Sequence, residues 1–329
     1  MRTVPALGFF LALAAAGPVF AAPPAPPAPG EETGSLAARL SGIEQIMWER
    51  DAKAIPALRA KASKDPDEKV RARAVGALTL LRDTGAPMLY LDRLTSDPSL
   101  RVRRAAADAI GTLGITPDRT ERLSGPLQKD PDPMVRAECA RALGKLGSRA
   151  AVGTLMYSMA TDPSPEVRSL AAEALSRLQA AEAEPILTTS ARQDRSPMVR
   201  CQAVRALAEI SPASSRDLFE TLWRDTTAPD VQLEAYRALL RSANPSRWVE
   251  EGLVNAEVSI RFLALRTWFS RVEGRHREFR PTRSSAEVVR LGNFLKDSAR
   301  GIREFSRLSL EKLGFKTRPD GFAYTIDDR

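Results

Sequence analysis

"DPSLRVRRAAADAIGTLG" occupies residues 97–114, and its reading decides the fold. Nearly the same line returns as "DPDPMVRAECARALGKLG" at 130–147 and "DPSPEVRSLAAEALSRLQ" at 162–179. With Val102 as position zero, small or apolar residues follow at +4, +7, +8 and +11: Ala106, Ala109, Ile110 and Leu113. Val70, Val135, Val167 and Val199 head the same pattern. That spacing draws one apolar stripe along an α-helix, and alanine at its centre lets a neighbouring helix come close. Asp67, Ser99, Asp132, Ser164 and Ser196 stand where a side chain caps a helix start, and proline follows the last three at the first helical position. Gly114 and Gly147 fall just past the last apolar position, where a left-handed stop suits glycine.

Upstream of each copy lies a second helical stretch, such as "GAPMLYLDRLTSD" at 85–97 and "AAVGTLMYSMATD" at 150–162. Weaker copies centre on Val231, Ile260 and Ile302. Position zero therefore runs 70, 102, 135, 167, 199, 231, 260, 302, which gives eight helix pairs, and a helix over 35–49 reads as an N-terminal cap. One pair cannot bury its apolar stripe alone, and stacking supplies the missing surface. β-branched alternation is absent. The Trp, Leu-Gly and Tyr signature of tetratricopeptide repeats and the Thr-Pro-Leu-His of ankyrin are missing too. The expected fold is all-α: a superhelical α-solenoid of stacked antiparallel helix pairs over residues 35–314, with a C-terminal tail at 315–329.

The line DPxxxVRxxAAxALGxLG resembles the short, about 30-residue HEAT repeat of the bilin-lyase type. The resemblance covers about residues 50–314. It implies a HEAT-like solenoid and an interaction surface, and no particular activity, because the same repeats serve unrelated proteins.

The first 22 residues, "MRTVPALGFFLALAAAGPVFAA", carry one Arg, an apolar run from Val4 to Ala16, and small Val19 and Ala21 before a cleavage point. Residues 1–21 read as a secretory signal peptide. The run is shorter than the ~20 residues a membrane-spanning helix needs. No Cys follows it to make a lipoprotein. Residues 22–34 are Pro/Ala-rich and read as a disordered linker. The mature chain is expected to be periplasmic or secreted, with no transmembrane segment after signal cleavage.

Lys and Arg number 49 against 41 Asp and Glu, a formal charge of +8 that suits acidic partners but says nothing about fold. The one histidine is His276, and Cys139 and Cys201 sit two repeats apart and read as small buried hydrophobes. There is no ligand cluster of metal-site type, no Gly-rich phosphate loop, no Gly-x-Ser-x-Gly and no Cys–His arrangement. The paired His-Glu motifs of HEAT-type hydroxylases are missing as well. No enzyme, no cofactor and no metal site are expected.

An arginine follows position zero in each strong copy: Arg71, Arg103, Arg136, Arg168 and Arg200. Asp65, Asp97, Asp130, Asp162 and Asp194 stand at the preceding turns. The arginines are either a rail of cations for an anionic polymer or partners of those aspartates, in the same or a neighbouring repeat. The HEAT resemblance implies the second.

If the second helix of each pair lines a concave side, as in HEAT proteins, positions +3, +6 and +10 face a groove. They are Glu138, Arg141 and Lys145; Leu170, Glu173 and Arg177; Gln202, Arg205 and Glu209; and Glu234, Arg237 and Arg241. This is either a solvated face with helix-spaced ion pairs or a net-positive groove. In the second reading Arg141, Lys145, Arg177, Arg205, Arg237 and Arg241 bind a partner. Between Ile260 and Ile302 the spacing grows to 42, and the surplus falls near "GRHREFRPTR", 274–283. Gly274 and Pro281 read as a loop. It is either a solvated insertion or a basic contact site formed by Arg275, Arg277, Phe279, Arg280 and Arg283. The expected function is an exported, non-enzymatic scaffold that binds an acidic or polar protein partner. The alternatives are a structural or assembly subunit of a cell-envelope complex, and a binder of an anionic polymer. Export argues against nucleic acid.

Overall fold

The computed structural model describes residues 34–115, 121–242, 244–275, 282, 284–320 and 323–326. Among these are seventeen α-helices: α1 (Leu36–Glu49), α2 (Ile55–Lys64), α3 (Glu68–Leu80), α4 (Pro87–Ser96), α5 (Leu100–Leu113), α6 (Glu121–Lys129), α7 (Pro133–Leu146), α8 (Val152–Thr161), α9 (Pro165–Arg177), α10 (Glu184–Gln193), α11 (Pro197–Ile210), α12 (Arg216–Asp225), α13 (Pro229–Leu240), α14 (Ser246–Leu253), α15 (Val258–Arg275), α16 (Ala286–Phe294) and α17 (Arg300–Lys312). After α1 they alternate, in chain order, as first and second helices of eight pairs. The protein is an all-α solenoid. The signal-peptide reading and residues 22–33 of the linker lie outside the described residues, as do His276, Arg277, Phe279, Arg280 and Arg283.

Contacts divide the chain into residues 1–126 and 127–329. In the first unit α1 packs on α3 and α3 on α5, while α2 and α4 back α3 and α5. In the second unit α7, α9, α11, α13, α15 and α17 pack in that order, with α8, α10, α12, α14 and α16 behind α9 to α17. All eight position-zero residues, from Val70 to Ile302, are fully buried. Close approach follows from small side chains: a Cβ on Gly144 of α7 would stand 2.8 Å from Ala174 Cα of α9.

Local signals explain the helix ends. Asp67, Ser99, Asp132 and Ser164 accept backbone N–H bonds from the first turns of α3, α5, α7 and α9. Ser196 does not cap α11 with its side chain; its own N–H donates instead to Asp194 Oδ1 at 2.8 Å. Gly114 and Gly147 end α5 and α7 at φ of 66° and 69°, the left-handed stop that only glycine adopts without strain. Gly274, expected in a loop, is helical: α15 runs on through Arg275, so part of the ten-residue surplus lengthens a helix. After α17, in the segment read as a tail, β1 (Thr317–Asp320) and β2 (Ala323–Ile326) pair antiparallel, Thr317 opposite Ile326, and lie on α17. Pro319 fits there because a two-stranded hairpin has free edges.

The arginine ladder is architecture. Arg71 donates from Nε and Nη2 to both oxygens of Asp97, each at 2.9 Å. Its Nη1 donates to the Asp65 and Pro66 carbonyls of its own turn. One guanidinium thus ties the turn of its repeat to the turn of the next. Arg136–Asp162 and Arg168–Asp194 repeat the geometry at 2.8 Å, and Arg261–Asp297 does so at 3.0 Å across the long spacing. Arg39 of α1 makes the first rung, to Asp65 at 3.2 Å, so α1 stands in the row of second helices. The forked, always-charged guanidinium matches a carboxylate two bonds at a time. Burial pushes the Asp97, Asp194 and Asp297 carboxyls up, but their arginine and backbone N–H donors outweigh it and hold all three below the usual carboxylate range.

Candidate functional site

The second helices α7, α9, α11 and α13 of the second unit carry the row that sequence marked at +3, +6 and +10. Helical spacing sets its members side by side, and the adjacent helices knit them together. Arg141 Nη1 donates to Glu138 Oε2 at 2.7 Å within α7. Arg177 reaches back to Glu173 Oε1 at 2.8 Å within α9. Between α11 and α13 the pairing crosses helices: Glu234 Oε1 accepts from Arg205 Nη2 at 2.6 Å and from Arg237 Nη1 at 2.8 Å. Arg241 of α13 pairs with Glu209 of α11. The Glu234 hydrogen bond, against the opposing effect of burial, raises the Arg205 guanidinium further above its usual value.

Two members differ from a solvated face. Glu138 is 5% exposed and Glu234 7%, although both were expected to face a groove as ordinary surface charges. Their position between close-packed helices buries the carboxylates, and the arginines cover them. Arg205, Arg237 and Arg241 keep 53%, 49% and 64% of their side chains exposed. Six cations face four carboxylates along these positions, so the row keeps a modest positive surplus. Reversing Arg141, Arg177, Arg205 and Arg237 together would strand the buried Glu138 and Glu234 and so would cost stability.

The rest of the candidate set is divided. Lys145 is exposed at the end of α7. Arg275 closes α15, and Arg277, Phe279, Arg280 and Arg283 lie outside the described residues. Cys139 and Cys201 are free and buried, and burial pushes both thiols up, away from reactive thiolate. An open depression on the turn edge is walled by the Arg168–Asp194 rung and lined by Met159, Ile186, Thr189 and Gln193. No described helix is long and apolar enough to cross a membrane.

The HEAT-repeat family model matches residues 55–127, 120–195 and 184–247, together more than half of the chain. The chain belongs to the HEAT-repeat family. A HEAT repeat-containing taxis protein of Halobacterium salinarum is 34% identical over 112 residues, which are 29% of this chain and 27% of that protein. The chain thus spans about a quarter of that relative's length. Among solved structures it is similar to the CpcE–CpcF complex of phycocyanin lyase from Nostoc sp. PCC7120, with 22% identity, a TM-score of 0.44, and coverage of 69% of this chain and 94% of that one. It is also similar to human deoxyhypusine hydroxylase in complex with glycerol, with 21% identity, a TM-score of 0.31, and coverage of 71% and 91%. Those two likenesses carry no activity to this chain. Its HEAT repeats suggest a protein-interaction scaffold.

Proposed function

We propose that this HEAT protein is an exported, non-enzymatic scaffold that binds an acidic or polar protein through the arginine row of α7, α9, α11 and α13. The supporting observation is the division of labour within the row: Glu138 and Glu234 are buried, and the arginines that cover them stay exposed. Each guanidinium has five N–H donors and spends only one or two on its glutamate. The remainder is held in place for a partner's carboxylates or carbonyls, at less entropic cost than a free arginine would incur.

The row can be tested where no buried acid is disturbed. Glu173 and Glu209, the partners of Arg177 and Arg241, are themselves partly exposed. The double variant Arg177→Ser/Arg241→Ser should therefore fold like the parent, since exposed pairs contribute about 0–1 kcal/mol. Used as bait on an envelope fraction at low salt, it should retain less of a protein that the parent captures. An identical retained set would place the interface on another face.

Export rests on the composition of residues 1–21. N-terminal sequencing of the mature protein should begin at or near Ala22; Met1 on exported protein overturns it.

A further inference from the structure

Among the described rungs that have a following helix pair, one is half empty; Arg303, in the last described pair, also holds its own turn through Nη1 but has no following described pair to supply an acid. In the filled rungs, the acid that receives each arginine stands five residues before position zero of the next repeat. For Arg200 that place is held by Thr226. Thr226 Oγ1 accepts the Ala228 N–H at 3.3 Å, as Asp194 Oδ1 accepts the Ser196 N–H, so it closes the turn but brings no charge. Arg200 Nη1 still donates to the Asp194 carbonyl at 2.9 Å, which holds the side chain at its rung. At Arg71, Arg136, Arg168 and Arg261, Nε and Nη2 grip a carboxylate at 2.8–3.1 Å; at Arg200, among the described residues, they have none. Asp225, the nearest acid in sequence, is exposed and makes no ion pair with Arg200.

The following rung shows what full dismantling looks like. There Gln232 replaces the arginine and Asn255 replaces the aspartate, and Gln232 Nε2 donates to the Trp223 carbonyl at 2.8 Å instead. Both charges are gone together. At Arg200 only the acid of the next turn is gone: the half-buried cation keeps Asp194 of its own turn nearby, but its Nε–Nη2 fork, built for a carboxylate, holds none. The same turn adds exposed Arg195 where the turns of earlier repeats carry Pro66, Pro98, Pro131 and Pro163.

We propose that the Arg200 fork is a docking site for a carboxylate of a protein partner, an Asp or Glu side chain or a chain terminus. The carboxylate sits on Nε and Nη2 in the place an aspartate fills in the other rungs. Bidentate guanidinium–carboxylate pairs are among the stronger polar contacts and are specific in geometry. The proposal rests on the scaffold reading only for the source of the carboxylate.

The test follows the Arg200 Nε–H resonance in the full chain. Sodium acetate should shift it saturably, and sodium chloride at equal ionic strength should not. In Thr226→Asp an internal carboxylate completes the rung, so the resonance should be displaced without acetate and silent to it. A blocked aspartyl peptide should bind the parent about tenfold more tightly than its asparaginyl counterpart, and Thr226→Asp should abolish that difference. The proposal is overturned if acetate and chloride act alike on the parent, or if Thr226→Asp still responds. It is overturned too if inorganic phosphate acts more strongly than acetate, or if acetate acts only on Asp225→Ser, which would mean that Asp225 fills the fork. None of these readouts involves the native partner, so they stand apart from the capture experiment on Arg177 and Arg241.

Discussion

Asp97→Ala is expected to lower stability by about 3–5 kcal/mol, because breaking a buried pair strands its partner. The Asp97 side chain is fully buried and Arg71 is only 11% exposed. Asp97 also accepts from Arg93 Nη1 at 3.2 Å and from the Ser99 N–H at 3.0 Å, so one truncation frees donors on three residues. Glu182→Ala is the contrasting case. Its pair with Arg149 is about half exposed on both sides, and its loss should cost about 0–1 kcal/mol. Urea titration of both variants checks the ratio. The rung also carries a pH signature. The folded carboxyl of Asp97 lies below its unfolded value, so its contribution is present above the ordinary carboxylate range and lost as pH falls through the folded value. Asp97→Ala should therefore lose less stability on acidification than the parent does. Equal costs for the two variants would remove the rung from the account of the fold.

Gly252→Ala should cost about 2–4 kcal/mol, although alanine is the better helix former by up to ~1 kcal/mol. A Cβ on Gly252 of α14 would collide with Tyr236 Oη and stand 2.9 Å from Ala264 Cβ of α15. Tyr236 has no room to retreat: it is fully buried, stacks on Trp223 with centroids 4.7 Å apart, and donates to the Trp248 carbonyl at 3.0 Å. Displacing the ring loses that bond and disturbs three aromatic residues at once. Thermal unfolding followed by tryptophan fluorescence should show a lowered midpoint, and Tyr236→Phe in the same chain should restore part of it by removing the first atom struck. An unchanged midpoint would mean that α13, α14 and α15 are not this close.

Much of the fold was written in one repeat. The apolar period from Val102 to Leu113 gives a helix, and its recurrence gives the stack, because both depend only on spacing along the chain. What lies between repeats was less legible. Asp97 and Arg71 were visible as a pair of residue types, but the reach of Arg71 forward to the next turn depends on the packing of α3 against α5. Glu138 and Glu234 read as surface charges because their burial depends on helices a repeat away. The place of α1 in the row of second helices was hidden because its line, "GSLAARLSG", lacks the Asp-Pro opening; Arg39, one residue beyond its equivalent of position zero, was the available signal. The vacant rung at Arg200 becomes visible only once the filled rungs show which position the acid occupies.

Arg71, Arg136, Arg168 and Arg261 tie each turn to the next and so hold the stack together. A double-mutant cycle on Arg71→Met and Asp97→Leu tests that role most directly. Each single variant should be strongly destabilised, and the double variant should lose far less than their sum, because two apolar side chains replace two charges. The coupling should lie toward the upper end of about 0.5–3 kcal/mol. Effects that add to within about 0.3–0.5 kcal/mol would contradict the account and return the ladder arginines to the candidate binding surface.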